Sequence, residues 1–539
     1  MTAAGDRPVV VVTGGGAGIG AALALELGRR GAFVVTVDPM VTLDGTASVD
    51  APEETTVDRI IAAGGAGQAA PISVTDAPAV QALFAELVAT HGRLDAVVNV
   101  AGISRRTSYS TGTDDEWRSV LTVHLSGYLT VLGAALPIMA AAGRGRILGV
   151  TSGSGWRTGD AGAYGCAKRA VAALTWQLGR QAPAGVTINA FSPIAVTRMV
   201  VAARASAPAP APTAKPSGGL SLGSMPEPED IGPLVAWLVN DAAPFSGQIL
   251  FAGGAEVAVL DRPRLLEVVR TDNAADLRAL IDATAPALAK AEATQLSGGG
   301  SNPRFTKAYA DPHEPTLRRD GARCLVVSDR PALAAAIVAA LDARGVTATV
   351  TEQVAAESIT GADLTDIDAV VLAPSANVPS TAGIAWQRTL AEHGDAVAGI
   401  YDDARWGRAV ADEAASSDRT LRIITICEAT TAGGRSRGQA AAQLSRAAIG
   451  TTGGHVEAFA IADEGGGPDA ARIAAEMAAH LVAAPDATAL SGAELATADG
   501  WFGVRSHPRA AAGFTLGQPE IPAWFGAALL ETIDARGVQ

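Results

Sequence analysis

The chain has 539 residues and a formal net charge of −14, and its composition is 48% hydrophobic and 18% charged. This length exceeds what one hydrophobic core usually serves, so we expect two domains of roughly 250 residues each. The excess of acidic residues argues against nucleic acid as a partner, because binding its phosphates requires a basic surface.

The cysteines and the N-terminal sequence bear on the cellular compartment. Cys166, Cys324 and Cys427 lie far apart without a CxxC spacing, so we expect neither a disulfide framework nor a bound metal. The first residues lack the basic-then-apolar layout of a secretion signal, and no uninterrupted apolar run reaches membrane-spanning length. We therefore expect a cytoplasmic protein without membrane insertion.

From residue 8 onward, short Val- and Ile-rich runs alternate with longer Ala-rich stretches of helical period. This alternation is typical of βαβ units that build a parallel sheet. The stretch 203–224 is rich in Ala, Pro and Ser and predicts an exposed, mobile loop, 261–296 predicts helices, and 297–305 predicts a flexible join. The predicted strands of the first half are 8–13, 32–38, 95–100, 145–151, 186–191 and 248–252.

The order of elements restarts after residue 320, so the chain has the pattern of a tandem repeat with a period of roughly 300 residues. We predict an α/β protein with two tandem Rossmann-like, doubly wound parallel sheets. The domains would be 1–260, a helical extension and linker at 261–320, and a second copy at 321–539. The predicted strands of the second half are 322–329, 347–351, 368–376, 421–429 and 454–463.

A glycine-rich turn, TGGGAGIG at 13–20, follows the first predicted strand and opens the first helix. Backbone amides at such a helix start can bind a pyrophosphate, with Gly14, Gly18 and Gly20 allowing its close approach. By itself the turn also fits a tight bend that binds no ligand. Asp38 ends the second strand, where a carboxylate can accept hydrogen bonds from ribose hydroxyls and repel a 2′-phosphate. No arginine follows Asp38, so we expect NAD rather than NADP, although an aspartate can also simply end a strand.

Tyr164 and Lys168 lie four residues apart at the start of an Ala-rich helix, so their side chains share one helical face. A tyrosine with a pKa of about 10 is a poor base near neutrality, and a neighbouring lysine cation favours the phenolate. Ser152, at the end of a predicted strand, supplies a hydroxyl that could hold a substrate oxygen. A YxxxK match alone would fit an ordinary surface pair, but strand ends in a parallel sheet meet at one edge, where ligands bind.

TGxxxGIG, NVAG at 99–102, a serine and YxxxK, in this order, resemble the short-chain dehydrogenase/reductase family over about residues 8–256. The resemblance implies an oxidoreductase that binds a small-molecule substrate, with Ser152 orienting the substrate oxygen, Tyr164 as acid/base and Lys168 tuning it. The cofactor-binding residues that it implies are Gly14, Gly18, Ile19, Gly20, Asp38, Ser73, Val74, Asn99, Ala101, Gly102, Pro193 and Thr197.

The sequence departs from the family pattern at several positions. His124 stands where an asparagine is usual, which implies either an altered proton relay that uses imidazole or a structural histidine. The gap between Ser152 and Tyr164 is one residue short, which leaves Thr151 as an alternative hydroxyl, and Ser73 stands where an aspartate is common.

Segments such as DDEWRSVLTVHLSGYL at 114–129 and FSPIAVTRM at 191–199 are similar to a narrower branch of the family. That branch is the (3R)-hydroxyacyl-CoA dehydrogenase part of the peroxisomal multifunctional β-oxidation enzyme type 2. The likeness implies NAD-linked conversion of a (3R)-3-hydroxyacyl thioester to its 3-oxoacyl form, and hence a role in lipid metabolism. Two alternatives stay open: a dehydrogenase of a steroid or other cyclic secondary alcohol, and an NAD-sensing regulatory or scaffold protein.

The second half carries neither the glycine turn nor a YxxxK pair: SDRPALAAA at 328–336 and RSRGQAAAQ at 435–443 stand in their places. We therefore predict a degenerate, non-catalytic copy. Because members of the family pair through helices, the resemblance implies an intrachain pseudo-dimer, and further homo-oligomerisation stays open. A binding module for the substrate's carrier is the alternative role.

Overall fold

The computed structural model describes residues 7–50, 52–156, 160–205, 225–240, 243–271, 276–299, 302–308, 321–352, 364–376, 381, 383–516 and 520–535. Within these ranges the chain forms two α/β halves, each built around its own sheet. The prediction of two tandem doubly wound sheets is confirmed. The predicted loop 203–224 lies mostly outside the described residues, and its first three residues belong to a helix.

In the first half, helices alternate with strands as the sequence pattern predicts. The strands are β1 (Val9–Thr13), β2 (Phe33–Val37), β3 (Ala66–Ala70), β4 (Ala96–Asn99), β5 (Gly145–Val150), β6 (Val186–Pro193), β7 (Ile249–Gly253) and β8 (Glu256–Asp261). The helices are α1 (Gly18–Arg29), α2 (Thr56–Ala62), α3 (Ala77–His91), α4 (Asp114–Leu121), α5 (Gly127–Ala142), α6 (Gly162–Gly179), α7 (Arg198–Ala205) and α8 (Gly232–Leu238).

The remaining elements follow in chain order. The strands are β9 (Leu265–Arg270), β10 (Leu296–Gly299), β11 (Asn302–Ala308), β12 (Arg323–Val327), β13 (Thr347–Thr351), β14 (Ala369–Leu372), β15 (Leu421–Glu428), β16 (Val456–Asp463), β17 (Glu494–Ala498), β18 (Trp501–Arg505) and β19 (Arg509–Thr515). The helices are α9 (Leu277–Ala293), α10 (Pro331–Asp342), α11 (Ala385–Ala391), α12 (Ala396–Ser417), α13 (Ala432–Thr451), α14 (Ala470–Ala483) and α15 (Phe525–Ala535).

The two sheets exchange strands at corresponding edges. The first sheet has the order β3-β2-β1-β4-β5-β6-β7-β8-β19, and the second has the order β13-β12-β14-β15-β16-β17-β18-β9. Thus β9 leaves the first half and pairs antiparallel with β18, while β19 leaves the second half and pairs antiparallel with β8. The last described helix, α15, follows β19 and packs in the hydrophobic core of the first half.

This exchange alters the domain assignment made from the sequence. The stretch 261–296 was predicted as helices, but it contains the strand β9 before α9, and the predicted flexible join at 297–305 lies mostly in the antiparallel hairpin β10–β11. A cut at residue 321 therefore leaves each half without a strand that completes its sheet, and a cut at residue 260 removes β19 from the first sheet. The physical reason is that the open edge of one sheet supplies hydrogen-bond partners to a strand from the other half.

The halves also pack through their helices. Helix α6 is buried along almost its whole length, and Cys166, Ala167 and Ala170 belong to one hydrophobic cluster with Ala440 and Leu444 of α13. Arg408 of α12 forms an ion pair with Asp114 at the start of α4. This is a helix-to-helix contact of the kind that an intrachain pseudo-dimer requires.

The stretch Asp114–Ala142 has the length and apolar composition of a membrane span, with half of its most apolar window buried in the protein. It is not one regular helix, because a π-helical turn at Thr122–Ser126 separates α4 from α5. Trp117, Leu125 and Leu132 lie in the core of the first half. The apolar character of this stretch is therefore accounted for by core packing.

Candidate active site

The glycine turn between β1 and α1 has the backbone geometry of a phosphate-binding loop. Gly14 has φ +66°, and a Cβ there would lie 2.9 Å from the backbone of Ala101. A Cβ at Gly20 would lie 2.0 Å from the carbonyl oxygen of Gly14, whereas one at Gly18, with φ +54°, would have no atom within 4 Å. Two of the glycines are thus required by packing, while Gly18 leaves open space at the start of the helix.

Thr13 organises the sheet edge beside this turn, and sequence reasoning missed it. Its hydroxyl donates to Asn99 Oδ1 at 2.8 Å and accepts from the amides of Val100 and Ala101 at 3.1 Å each. Thr13 and Asn99 are both buried. A hydroxyl residue at the junction of strand and glycine turn was the available signal, and it fixes the strand end that leads to Ala101 and Gly102.

Asp38 is held at the end of β2 with its carboxylate turned toward the glycine turn. Oδ2 accepts from the amide of Gly16 at 3.0 Å and Oδ1 accepts from the amide of Met40 at 2.9 Å. Met40 has φ +53°, a conformation that is uncommon for a residue with a side chain. The turn Asp38–Met40 therefore keeps a negative charge beside the glycine turn.

The other residues assigned to cofactor binding lie at or near the same sheet edge. Ser73 and Val74 follow β3, and Val74 is buried. Its side chain packs against Gly127, where an added Cβ would lie 2.6 Å from Val74 Cγ2. Pro193 ends β6, and Thr197 precedes α7, accepting from the amide of Val200 at 3.2 Å. Ile19 lies in the first turn of α1. Their roles in cofactor binding stay predictions.

Tyr164 and Lys168 lie in the first two turns of α6, next to the end of β5. Lys168 Nζ lies 5.7 Å from the centroid of the Tyr164 ring and donates to the carbonyl oxygen of Val150 at 2.8 Å. Burial lowers the pKa of Lys168 to about 7. Tyr164 is half-buried and Lys168 is 4% exposed, so the lysine is the more deeply buried of the two.

The two candidate hydroxyls after β5 have different surroundings. Thr151 is fully buried, and its hydroxyl donates to the carbonyl oxygen of Lys168 at 2.6 Å. Ser152 is half-buried, and its hydroxyl accepts from the amide of Ser154 at 3.2 Å, which leaves its proton available. Thr151 thus serves the packing of α6 on β5, and Ser152 remains the hydroxyl that can meet a ligand.

His124 projects from the π-helical turn between α4 and α5 toward Tyr164. The two rings meet edge to face with centroids 5.1 Å apart. His124 Nε2 donates to the carbonyl oxygen of Ile103 at 2.8 Å, so Nδ1, which has no protein partner among the described residues, is left as an acceptor. Burial, with a smaller contribution from the charge of Lys168, lowers the pKa of His124 to about 3, so the imidazole is neutral. A Cβ at Gly102 would lie 2.3 Å from His124 Cε1, so the glycine makes room for the ring.

These residues fit a dinucleotide. The open space at Gly18 lies over the start of α1, and Asp38 carries a carboxylate to the end of the neighbouring strand. The Tyr164–Lys168 pair, Ser152 and His124 follow farther along the same sheet edge. Together they are typical of a dinucleotide-dependent oxidoreductase.

Comparison with known proteins agrees with this class. The family model for short chain dehydrogenases matches residues 8–207. The chain is 34% identical to the short-chain reductase protein NovJ of Streptomyces niveus over 46% of this chain and 91% of that protein. It is 35% identical to the cis-4-hydroxycyclohexanecarboxylate dehydrogenase of Sinomonas cyclohexanicum over 47% of this chain and 97% of that protein. The chain belongs to the short-chain dehydrogenase family and is an oxidoreductase that interconverts secondary alcohols and ketones.

The narrower resemblance is also found. The chain is 32% identical to the peroxisomal multifunctional enzyme type 2 of Mus musculus over 50% of this chain and 35% of that protein. The match therefore spans about a third of the multifunctional enzyme. The family binds NAD or NADP, and the comparisons do not choose between them.

At the corresponding edge of the second sheet, the described residues lack this chemistry. Arg330, which precedes α10, donates to Asp463 at 2.8 Å at the end of β16. Arg422 of β15 and Arg146 of β5 occupy equivalent positions in the strand pairing of the two sheets. Counted from these residues, Glu428 at the end of β15 corresponds to Ser152, which follows β5. Counted from the starts of α13 and α6, Gly434 and Gly438 stand in the places of Tyr164 and Lys168. The second half thus has neither acid/base nor glycine turn at these positions.

Proposed function

We propose that the first half is an NAD-dependent dehydrogenase whose substrate is a (3R)-3-hydroxyacyl thioester, oxidised to the 3-oxoacyl form. The observation that carries the catalytic part is the placement of Lys168 Nζ 5.7 Å from the Tyr164 ring at the edge that holds the glycine turn. The thioester is supported by the similarity to the multifunctional enzyme. This assignment places the protein in lipid metabolism.

Gly14, Gly18 and the start of α1 would bind the cofactor pyrophosphate, and Asp38 would accept hydrogen bonds from the adenosine ribose. Because both Asp38 oxygens already accept backbone amides, the carboxylate is fixed before a ligand arrives. A 2′-phosphate beside this charge would be repelled, which favours NAD over NADP. The bound nicotinamide supplies the hydride acceptor for the carbinol carbon.

Tyr164 would remove the hydroxyl proton of the substrate as the carbinol carbon is oxidised, and return it in the reverse direction. Lys168 in its ammonium form stabilises the phenolate that this role requires. Ser152 has a free proton to donate to the substrate oxygen, which orients that oxygen toward Tyr164. His124 Nδ1 can accept a hydrogen bond beside Tyr164, but a pKa of about 3 keeps the ring from carrying a proton near neutrality. We therefore assign His124 a hydrogen-bonding role rather than proton transport.

A cyclic secondary alcohol is the second candidate substrate. It is favoured by the 35% identity to the cis-4-hydroxycyclohexanecarboxylate dehydrogenase, which this chain matches over 97% of its length. The chemistry at Tyr164 is the same for both candidates, and only the substrate pocket differs.

A panel of (3R)- and (3S)-3-hydroxyacyl-CoA esters and cyclic alcohols, each with NAD and with NADP, separates the candidates through the absorbance of the reduced cofactor. The proposal requires the highest kcat/KM for a (3R)-3-hydroxyacyl-CoA with NAD. A cyclic alcohol with higher kcat/KM would replace the thioester assignment. Equal rates with the (3S) esters would contradict the stereochemical part.

A further inference from the structure

The catalytic helix α6 carries a buried arginine that is neutralised by the second half. Arg169 directly follows Lys168 and is fully buried. Its guanidinium donates to Glu494 of β17 at 2.5 Å and to Gln439 Oε1 of α13 at 3.0 Å. Gln439 also donates to the other carboxylate oxygen of Glu494. Both carboxylate oxygens of the buried Glu494 therefore accept hydrogen bonds, one from Arg169 and one from Gln439. These bonds hold the side chain of Arg169, the residue next to Lys168.

The turn that carries Ser152 rests on the same part of α6. A Cβ at Gly155 would lie 3.0 Å from the backbone nitrogen of Arg169, so the turn and the helix are in direct contact. The carbonyl oxygen of Trp156, which is fully buried, accepts from Arg446 of α13 at 3.5 Å. A shift of α13 or Arg169 would therefore move the backbone near Ser152.

A third contact lies just ahead of Tyr164. Asp160 Oδ1 accepts from the amide of Gly162 at 2.8 Å, at the first residue of α6. Asp160 Oδ2 accepts from the amide of Tyr109 at 2.5 Å and lies 2.9 Å from the hydroxyl of Thr451 in α13, which is also within 2.8 Å of the carbonyl oxygen of Ala447. One carboxylate thus joins the start of the catalytic helix, the loop after β4 and the second half.

We propose that the second half is a built-in positioning subunit for the active site of the first half. Glu494 acts through Arg169 on Lys168, and Thr451 acts through Asp160 on the helix start that carries Tyr164. Neither residue touches the substrate. In this way the second half contributes to activity although it has neither a glycine turn nor a Tyr–Lys pair. Glu494 and Thr451 are the residues through which it acts as a scaffold.

The physical basis is the cost of a buried charge without a partner. Removal of the Glu494 charge takes away the carboxylate to which the buried Arg169 guanidinium donates, so we expect Arg169 and the adjoining turn of α6 to rearrange. A displacement of catalytic groups by about 1 Å is enough to lower a rate by roughly 100-fold. The glycine turn and Asp38, which would bind the cofactor, are not altered by these substitutions, so cofactor affinity should change little.

The test uses the full chain with Thr451→Val and Glu494→Gln. Thr451→Ser keeps the hydroxyl and should restore the wild-type values. Ser445→Ala is the matched control, because the Ser445 hydroxyl donates within α13 to the carbonyl oxygen of Ala441. The measurements are kcat and KM with the best alcohol of the panel, NADH affinity by fluorescence, and the phenolate absorbance of Tyr164, obtained by subtraction of the Tyr164→Phe titration.

We expect Thr451→Val to lower kcat by about 10-fold or more, with NADH affinity within about twofold of wild type. The Tyr164 phenolate should form at higher pH than in the wild type, because the phenol is displaced from Lys168. Wild-type kcat and an unchanged phenolate titration in folded Thr451→Val would overturn the inference, even if Glu494→Gln fails to fold.

The inference rests on the proposed function, but the two fail differently. If no alcohol of the panel is oxidised, the proposed function fails, while a shifted Tyr164 phenolate in Thr451→Val still supports the positioning role. If turnover is normal in both variants, the proposed function stands and the positioning role fails.

Discussion

Lys168 Nζ lies 5.7 Å from the centroid of the Tyr164 ring and is anchored by a 2.8 Å hydrogen bond to the carbonyl oxygen of Val150. Lys168 is almost fully buried, whereas Tyr164 is half-buried at the sheet edge. The pair therefore has one member in the interior and one that is partly exposed. Burial is also what lowers the pKa of Lys168.

The first expectation concerns pH. Since burial lowers the pKa of Lys168 to about 7, its ammonium form is present below that pH and is lost above it. The loss of this charge removes the group that stabilises the Tyr164 phenolate. We expect kcat/KM for alcohol oxidation to fall as pH increases through about 7, measured with saturating NAD.

Lys168→Arg should remove this fall, because arginine stays charged across the range. Lys290→Met, at an exposed position of α9, is the control and should keep the wild-type profile. A wild-type profile that is flat between about pH 6 and about pH 9 would contradict the assignment of the pair.

Tyr164→Phe separates an enzyme from an NAD-sensing protein. Without the phenol hydroxyl there is no group to take the substrate proton, so we expect turnover to fall by at least about 100-fold. NADH affinity, measured by fluorescence titration, should stay within about twofold, because the glycine turn and Asp38, which would bind the cofactor, are unchanged. Activity close to wild type in Tyr164→Phe would show that another group transfers the proton.

Asp38 should determine the cofactor. We expect the wild-type protein to bind NADPH at least about 10-fold more weakly than NADH, because a 2′-phosphate would meet the Asp38 carboxylate. Asp38→Asn removes the charge and retains one acceptor for the amides of Gly16 or Met40, so the difference should shrink. Equal affinities of the wild-type protein for NADH and NADPH, titrated by fluorescence, would rule out the NAD assignment.

Phe525 tests whether the C-terminal helix stabilises the first half. It is fully buried, and its ring centroid lies 5.2 Å from that of Trp237 and 5.6 Å from that of Phe514. We expect Phe525→Ala to lower the free energy of unfolding by about 3–5 kcal/mol, with earlier loss of NADH binding in urea. The neighbouring Trp524 is 50% exposed, so Trp524→Ala should cost less than about 1 kcal/mol. Equal effects of the two substitutions would mean that α15 does not contribute to the core of the first half.

The sequence predicted most of the parallel strands and the residues at their ends, because buried parallel strands form continuous apolar runs. It also predicted that Tyr164 and Lys168 share a helical face, since four residues are about one helical turn. It did not distinguish Ser152 from Thr151, and this choice depends on the hydrogen bond of Thr151 to the carbonyl oxygen of Lys168. The polar anchor Thr13 was missed for the same reason, because its partners Asn99 and Ala101 come from another strand.

Local periodicity and short motifs thus determined the class of fold, the glycine turn and the Tyr–Lys pair, because each depends on residues that are neighbours in the chain. The exchange of β9 and β19 and the burial of Arg169 against Glu494 were decided only by tertiary structure. An edge strand takes whichever partner offers free hydrogen-bonding groups, and a buried charge takes whichever opposite charge packing brings within reach. Neither choice is encoded within one window of sequence.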